Sequence, residues 1–247
     1  MAVALTLVKL AQLAADVPDV KELDLNPLLA DQDGVIAVDA RITVERCAPL
    51  HKGPGHPRFA VQPYPADWVR GLTLANGTAV QVRPVRAEDE AMFRAFFAKV
   101  SQEDLRLRFF APIREFSHAF IARLTQIDYS RAMALVAIEE AGGAMLGAVR
   151  LHVDANFDKG EFAILVRSDL KGYGLGWQLM QLIIDYARSI GLRMIEGQVL
   201  RENRTMLAMC EQLGFSIRSD PEDPTLAIAS LALERPGSAP ASPPDRP

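Results

Sequence analysis

Three glycines at alternate positions form the most informative chemical motif of the 247-residue sequence. The segment Lys171-Gly172-Tyr173-Gly174-Leu175-Gly176, the glycine loop, lies between an apolar run and a long amphipathic segment. Glycine lets the backbone turn sharply and present successive N–H groups at a helix N-terminus, where the helix dipole attracts anions. The loop therefore predicts a diphosphate-binding site, although the glycines alone are equally compatible with a tight strand-to-helix turn. Its spacing is neither that of a Rossmann fingerprint, whose third glycine would fall at Trp177, nor that of a Walker loop.

A carboxylate lies ahead of the glycine loop, at the start of an alternating apolar segment. Glu161 opens the run Glu161–Val166, and period-two alternation places it on one face with Ala163 and Leu165. It is about one strand length from the loop, which makes it a candidate general base. A solvated glutamate at a hairpin end, or His152 on the preceding strand as the base, are the alternatives.

Hydrophobic periodicity predicts the elements that must position these residues. Alternation predicts strands, three-and-four spacing predicts helices, and Gly191 is expected to end the helix that follows the loop. The predicted strands are residues 79–85, 132–139, 145–153, 160–167, 193–200, 215–218 and 226–233. The predicted helices are residues 87–100, 102–110, 118–127, 176–190 and 203–213. Together they predict an α/β domain with a mixed, mostly antiparallel twisted sheet flanked by helices.

The first 47 residues form a smaller segment. Residues 5–15 predict a helix, and strand-like runs at 23–29 and 35–40 flank an Asp-Gly step that favours a hairpin. One helix and two strands are too little for an independent core. Residues 48–79, rich in Pro and Gly, predict a linker, residues 80–235 the main domain, and residues 236–247 a disordered tail.

Composition restricts the classes of function. The net charge of −4 argues against nucleic-acid binding, and no apolar run reaches the roughly 20 residues of a membrane span. No signal segment opens the chain, so we expect a cytoplasmic protein that does not bind membranes. Cys47 and Cys210 lack paired spacing, and His51 and His56 lack further ligands, so we expect neither a disulfide nor a metal site.

A basic and aromatic cluster lies in the predicted helix 102–110 and just after it. Arg106, Arg108 and Arg114 surround Phe109 and Phe110. We interpret the arginines as a solvated helix face beside an apolar stripe. Binding of an anionic or aromatic partner is the alternative.

The glycine loop resembles the pyrophosphate-binding motif of the GNAT superfamily, Gln/Arg-x-x-Gly-x-Gly/Ala. Lys171 stands at the Gln/Arg position, and Gly174 and Gly176 stand at the two small positions. Downstream, Asn203–Phe215 resembles the family's Asn-led helix that ends in Gly-Phe. The resemblance implies a GNAT fold with acetyl-CoA as cosubstrate, bound by Leu165, Val166, Lys171, Gly172, Tyr173, Gly174, Leu175, Gly176 and Asn203.

The same resemblance implies attack of an amine on the acetyl carbonyl of a bound thioester. A lysine amine has a pKa of about 10.4, so at neutral pH a base must remove a proton. The family's strand glutamate matches Glu161, and a backbone N–H near Val166 is expected to polarise the carbonyl where this strand splays from its neighbour. Many members carry a Tyr where Cys210 stands here. Its apolar mid-helix setting predicts an inert thiol, so we expect water to protonate the departing CoA thiolate.

Two N-terminal segments resemble a different family. Glu22–Leu28 and Ala37–Arg41 are similar to the C-terminal edge of the ATP-grasp domain in nucleoside-diphosphate-forming acyl-CoA synthetases. In that family, residues matching Asn26 and Asp39 hold the magnesium of the nucleotide. Nothing else of such a synthetase is found in the sequence, so we expect residues 1–47 to be an ATP-grasp remnant without nucleotide chemistry.

The order of the pieces resembles protein lysine acetyltransferases in which a synthetase-like region precedes a C-terminal GNAT domain. Arg83–Asp89 and Leu107–Phe110 are typical of that subgroup. The implied partner is a protein with an acceptor lysine, an acyl-CoA synthetase among the candidates. A small-molecule amine acetyltransferase and a non-catalytic acyl-CoA sensor are the alternatives, because fold does not fix substrate.

Overall fold

The structure is a computed structural model that describes residues 2–17, 19–32, 34–45, 64–113 and 115–233. The chain divides into two compact units, residues 1–60 and 61–247. The predicted tail and the histidines and cysteine between residues 46 and 63 lie outside the described residues. In the described part, no helix is long and apolar enough to cross a membrane.

The N-terminal unit contains one helix and two small antiparallel sheets in the part that the structure describes. The pairs are β1 with β4 and β2 with β3. The elements are α1 (Ala2–Asp16), β1 (Val20–Leu25), β2 (Leu28–Ala30), β3 (Val35–Ala37) and β4 (Ala40–Val44). The predicted hairpin is present, but each of the two predicted strands is divided in two.

Each predicted strand is interrupted at a short segment that lies between the two small sheets, and these two segments are hydrogen-bonded to each other. Asn26 N–H donates to Asp39 O at 3.2 Å, and Val38 N–H donates to Pro27 O at 3.1 Å. These two backbone hydrogen bonds connect the two short sheets. Each alternating run in the sequence therefore forms two strands with a hydrogen-bonded segment between them. They also bring Asn26 and Asp39 side by side.

The C-terminal unit is built on a mixed sheet of eight strands among the described residues. Strand order is β11-β12-β10-β9-β8-β7-β6-β5, antiparallel except for the β9–β10 pair. The strands are β5 (Arg70–Thr73), β6 (Ala79–Pro84), β7 (Ala132–Glu139), β8 (Met145–Val153), β9 (Lys159–Val166), β10 (Met194–Leu200), β11 (Ser216–Ser219) and β12 (Leu226–Ala232). This confirms the predicted mixed, mostly antiparallel sheet.

Helices cover both faces of this sheet. One core contains Phe162 of β9 and Leu179 and Ile183 of α5, and Met206 of α6 packs against it. The other core lies on the opposite face of the sheet. It contains Phe93 of α2, Leu105 of α3 and residues of α4. The helices are α2 (Glu90–Phe97), α3 (Gln102–Phe109), α4 (His118–Thr125), α5 (Leu175–Ser189) and α6 (Arg204–Gln212). Both faces of the sheet are therefore buried by amphipathic helices.

The predicted linker 48–79 extends too far toward the C-terminus. Strand β5 lies inside it and pairs with β6 at the edge of the sheet. Tyr64 donates its hydroxyl to Pro84 O at 3.0 Å, and the Trp68 ring lies edge-on to Tyr186 at 5.2 Å. Proline density ends at Pro65, so the aromatic and alternating residues that follow are free to join the domain.

The segment Arg83–Asp89 fixes the turn from β6 into α2. The Arg83 guanidinium donates two hydrogen bonds to the Asp89 carboxylate at 2.8 and 2.7 Å, in a nearly buried pair. Asp89 also accepts from Arg86 N–H at 2.7 Å. This bidentate pair raises the pKa of Arg83 and gives the segment a structural role.

Candidate active site

Strands β9 and β10 separate partway along their length and leave an opening in the sheet. Their parallel pairing ends at Glu161 and Glu196, after which β9 pairs only with β8 and β10 only with β12. Arg167 N–H donates to Leu146 O on the β8 side at 2.9 Å. Because strand N–H groups alternate in direction, the Val166 N–H points to the other side, toward β10. Strands β9 and β10 are thus splayed as expected, and the Val166 N–H lies at the opening between them.

The glycine loop follows directly beyond this opening. Gly172 and Gly174 have φ angles of 86° and 88°, in the left-handed region that favours glycine. Gly174 is the N-cap of α5, so the unpaired N–H groups of the first helical turn face the loop. The Tyr173 carbonyl accepts from Ala75 N–H at 3.2 Å, which ties the loop to the β5–β6 turn. This geometry fits an anion at the end of β9.

Glu161 lies in a row of titratable side chains across three strands. It is directly opposite His152 on β8 and Glu196 on β10, and directly opposite residues share a face of the sheet. Glu161 and His152 are exposed, and Glu196 is half-buried. Within the described residues the Glu161 carboxylate has no hydrogen bond or ion pair. It is therefore available to accept a proton where the two strands part.

A small cavity, the arginine cavity, lies on the same face of the sheet as Glu161. Arg108 of α3 and Arg150 of β8 give it its polar lining, and Ala163 and Leu165 of β9 form part of its floor. Its aromatic wall is Phe93, Phe96, Phe97 and Phe109. The interpretation of the arginines as a solvated face is therefore wrong for Arg108, because α3 turns this side chain toward the sheet, whereas Arg114 lies outside the described residues.

Burial and charge act on both guanidiniums of the arginine cavity. Burial, with a smaller effect of the neighbouring Arg150, lowers the pKa of Arg108 to about 10 against an opposing effect of Glu161. Burial also lowers the pKa of Arg150, against an opposing effect of Glu161. With a pKa near 10, Arg108 is charged at neutral pH, so the cavity has a positive lining.

The family of the chain follows from a match over more than half of its length. A family model described as an acetyltransferase (GNAT) domain matches residues 80–216. The chain belongs to the GNAT acetyltransferase family. It is accordingly an N-acetyltransferase, and GNAT domains use acyl-CoA cosubstrates.

Two similar proteins support this assignment of the GNAT domain. Acetyltransferase PA5475 of Pseudomonas aeruginosa is 35% identical over 168 residues, which cover 67% of this chain and 89% of that protein. The GNAT domain of S. lividans PAT is 27% identical with a TM-score of 0.64, covering 69% of this chain and 100% of that domain. The predicted GNAT fold is confirmed.

The N-terminal segment matches a second family. An ATP-grasp domain model covers residues 1–44. Over 41 residues the chain is 49% identical to the ADP-forming acetate–CoA ligase I subunit beta of Pyrococcus furiosus. The match spans 17% of this chain and only 18% of that subunit, so it supports the predicted ATP-grasp segment and nothing about ligase activity.

Lys171 of the GNAT domain is held by a buried carboxylate. Its ammonium forms an ion pair with Asp104 of α3, which also accepts hydrogen bonds from the hydroxyls of Ser101 and Ser168. Burial raises the pKa of Asp104, but the hydrogen bonds from Lys171, Ser168 and Ser101 outweigh it and lower the pKa overall. Phosphate binding by Lys171 stays a prediction, and its observed partner is a protein carboxylate.

Helix α3 reaches across the opening of the GNAT domain. It lies against both β9 and β10. At one side Asp104 pairs with Lys171 of the glycine loop. At the other, Arg106 pairs with Glu202, just beyond β10, at 2.6 Å. The helix is thus fixed to the segments that follow both splayed strands.

Asn203 caps the start of α6, and Cys210 lies within this helix. The Asn203 amide oxygen accepts from Met206 N–H at 3.2 Å, so its amide donors remain for another partner. Cys210 is fully buried in the core, and burial raises the pKa of its thiol to about 12. A thiol that stays protonated and out of contact with solvent is not a nucleophile, as the sequence predicts.

Sequence reasoning did not identify Asp104, Arg150 or Glu196. Arg150 and Glu196 are charged residues inside mainly apolar strands, a signal that such a side chain has a partner or a function. Asp104 stands three residues after Ser101, the N-cap of α3, whose hydroxyl donates to the Asp104 carboxylate at 2.9 Å and accepts from the Asp104 N–H at 3.1 Å. That spacing was readable as a helix start, but the pairing with Lys171 depends on the tertiary fold.

Proposed function

We propose that this chain transfers an acetyl group from acetyl-CoA to the side-chain amine of a lysine in an acceptor protein, with Glu161 as general base. The observation that carries the proposal is an exposed carboxylate, with no hydrogen bond or ion pair to the residues that the structure describes, at the point where β9 and β10 part. An exposed base is accessible to a side chain presented by a macromolecule. The similarity to the GNAT domain of PAT and the ATP-grasp segment also favour this choice, with an acyl-CoA synthetase as one proposed acceptor.

The chain's own residues divide the chemistry between them. Glu161 takes a proton from the lysine ammonium, whose pKa of about 10.4 otherwise keeps it protonated. The amine nitrogen then bonds to the acetyl carbon, and the C–S bond breaks with the electron pair leaving on sulfur as the CoA thiolate. The nitrogen releases its second proton to water, which leaves a neutral amide. The Val166 N–H donates to the carbonyl oxygen where negative charge develops. Water supplies the proton to the thiolate, since Cys210 is buried.

The glycine loop supplies binding and orientation. We assign the pyrophosphate of acetyl-CoA to the N–H groups of the loop and of the first turn of α5, with Gly172, Gly174 and Gly176 allowing close approach. The part of acetyl-CoA that leads to the thioester then lies in the opening between β9 and β10, beside Leu165 and Val166. The Asn203 amide donates a hydrogen bond to it from the other side. Tyr173 and Leu175 complete the proposed contacts.

The test is Glu161→Gln, which keeps the shape of the side chain and removes its basicity. General-base assistance is typically worth about 10²–10⁴-fold, so kcat should fall by that order while acetyl-CoA affinity stays nearly unchanged. Raising the pH should partly restore the rate, because more of the acceptor lysine is then neutral. The measurement is a pH series of acetyl transfer to one protein acceptor, with calorimetry for cofactor binding.

Glu196→Gln is the matched control. It removes the same charge from the same face of the sheet, on the strand beside Glu161. We expect this variant to transfer acetyl at close to the wild-type rate. Wild-type turnover in Glu161→Gln, or an equal loss in both variants, would contradict the assignment and move the role to Glu196, His152 or water.

A small-molecule amine is the second candidate acceptor, favoured by the arginine cavity. A cavity with two cations beside the proposed base suits an amine that also carries an anionic group. Parallel assays with protein lysine and with free amino acids would separate the two acceptor classes. Transfer to free amino acids with a higher kcat/KM than to any protein would favour this candidate.

A further inference from the structure

The arginine cavity adjoins the proposed base along β9. Arg150 is directly opposite Ala163, which lies two residues after Glu161 on the same face. Two residues of strand span roughly 7 Å, so the cavity begins within one side-chain length of Glu161. Leu165 continues the floor toward Val166. The cavity thus borders the place where an acceptor amine must lie.

The two arginines of the cavity differ from the other half-buried arginines that the structure describes in this unit, each of which pairs with a carboxylate: Arg83, Arg106 and Arg167. Arg83 has a bidentate carboxylate partner. Arg108 and Arg150 have no ion pair among the described residues, and Nε of Arg150 is buried without any hydrogen-bond partner. The Arg108 guanidinium lies over the Phe109 ring, 4.9 Å from its centroid. A buried donor without a hydrogen bond is unfavourable, so an anion that enters the cavity would satisfy Arg150 and give Arg108 a charged partner.

Size and wall chemistry restrict this anion. The cavity volume is about 40 Å³. That is room for roughly three water molecules, which matches a carboxylate group rather than a whole metabolite. The aromatic wall lowers the local dielectric constant, which strengthens the attraction between ions. A guanidinium presents its donors in a planar fork that fits the two oxygens of a carboxylate.

We propose that Arg108 and Arg150 bind a carboxylate carried by the acceptor and so place its amine against Glu161. The inference rests on the proposed acetyl transfer at Glu161. In a protein acceptor the carboxylate belongs to an acidic residue beside the lysine. In a small acceptor it belongs to the amino acid itself. Both present the same chemistry, an amine and a carboxylate on one molecule.

The experiment uses two acceptor pairs in which only the carboxylate changes. One pair is a lysine peptide with a neighbouring Glu and the same peptide with Gln. The other pair is a free amino acid and its carboxamide. Wild type should prefer the acid member of at least one pair by roughly 10- to 100-fold in kcat/KM, the range expected for hydrogen bonds to a charged group. The responding pair identifies the source of the carboxylate.

The variants are Arg108→Met and Arg150→Met, in the full chain. Each should remove most of the preference by slowing transfer to the acid member, while transfer to the amide member and acetyl-CoA affinity stay nearly unchanged. Arg150→Lys should restore part of the preference, because it keeps the charge and loses the fork. Arg188→Met is the control for net charge, since Arg188 is exposed on α5 and pairs only with Asp185 in the described residues.

Three outcomes would overturn the inference. The first is equal transfer to both members of each pair by wild type. The second is a preference that survives in both Met variants or falls equally in Arg188→Met. The third is an unchanged acid preference combined with an altered choice between acetyl-CoA and succinyl-CoA, which would assign the arginines to the acyl group. Absence of transfer to every acceptor would instead contradict the proposed function itself.

Discussion

Gly174 and Gly176 have different reasons to be glycine, although they stand two residues apart in one motif. Gly174 has a φ of 88°, so an L side chain there is strained. Gly176 lies within the first turn of α5, and a Cβ there would meet Met209 Sδ at 3.8 Å and Val166 Cγ2 at 3.9 Å, which are ordinary contacts. Conformation requires the first glycine, and neither conformation nor space in the protein requires the second.

This difference gives a prediction for the free protein. Gly174→Ala should lower the free energy of unfolding by about 1–2 kcal/mol, because alanine is strained in the left-handed region. Gly176→Ala should leave it unchanged or raise it by up to about 1 kcal/mol, because alanine favours a helix. Denaturant unfolding of both variants is the measurement. Equal losses would show that the loop conformation differs from the one described.

Single residues of the site were predictable where the signal is local. The glycine loop and Glu161 each follow from a short segment and its periodicity. Arg150 and Glu196 are brought to Glu161 by strand order, and β10 enters beside β9 only after the chain has passed through α5. Arg108 was misread because a polar residue on a short helix is usually solvated, and only the packing of α3 shows otherwise.

At the level of elements, the stability of α3 depends on the tertiary contacts of Asp104 more than on the intrinsic helix propensity of its residues. The helix has only eight residues, too few for independent stability in water. The Asp104 carboxylate holds the helix in place by accepting hydrogen bonds from the side chains of Lys171, Ser101 and Ser168, and the Asp104 side chain is only 8% exposed. The second attachment, Arg106 to Glu202, is more exposed and therefore contributes less.

Asp104→Asn should destabilise the domain by about 1–3 kcal/mol, because hydrogen bonds to a charged group are lost. The pKa of Asp104 is lowered in the folded state, so its contribution is complete above its unfolded value and is lost as pH falls through the folded one. The difference from wild type should be full at pH 7 and shrink below about pH 4. Thermal unfolding over a pH series checks this.

Asp185→Asn is the matched control for that series. Asp185 is 61% exposed and pairs with Arg188 on the surface of α5 at 3.2 Å. Its loss should change stability by less than about 0.5 kcal/mol at any pH. A loss for Asp104→Asn that does not diminish in acid would mean that packing, and not the ionised carboxylate, makes the contribution.

Most elements of the C-terminal unit follow from periodicity, with bounds that agree to within a few residues. Strands β7 and β8 have the predicted bounds because each is an apolar run that clear turn residues delimit, and most of their side chains are buried. Strand β5 was missed. It has only four residues, and its place at the sheet edge is set by pairing with β6 rather than by its own pattern.

At the scale of the whole molecule, the two units differ in how much they bury. In the described part of the N-terminal unit, Val20 is the one buried hydrophobic residue. Leu7, Val8, Ile36 and Val44 are each more than half exposed. The C-terminal unit contains the two cores that cover its sheet. The sequence predicted this contrast, because one helix and a few short strands cannot enclose a core.

The attachment of α3 has a consequence for how strongly the binding of one substrate affects the binding of the other. The same helix carries Asp104, which contacts the glycine loop, and Arg108, which lines the arginine cavity. If occupancy of the loop changes the hold of Asp104 on Lys171, it must also change the position of Arg108. Thermodynamic linkage is reciprocal, so each substrate then alters the affinity for the other by the same factor.

Calorimetry of the acceptor with and without CoA, used as an unreactive probe, measures that factor. We expect CoA to change acceptor affinity by roughly 5-fold or more, the lower end of typical coupling between sites. In Asp104→Asn the acceptor affinities measured with and without CoA should converge, because α3 is no longer attached to the glycine loop. Equal affinities in wild type would show that the two substrates bind independently. A change of the expected size would mean that a single eight-residue helix couples the two sites, so that a filled cofactor site alters the acceptor site.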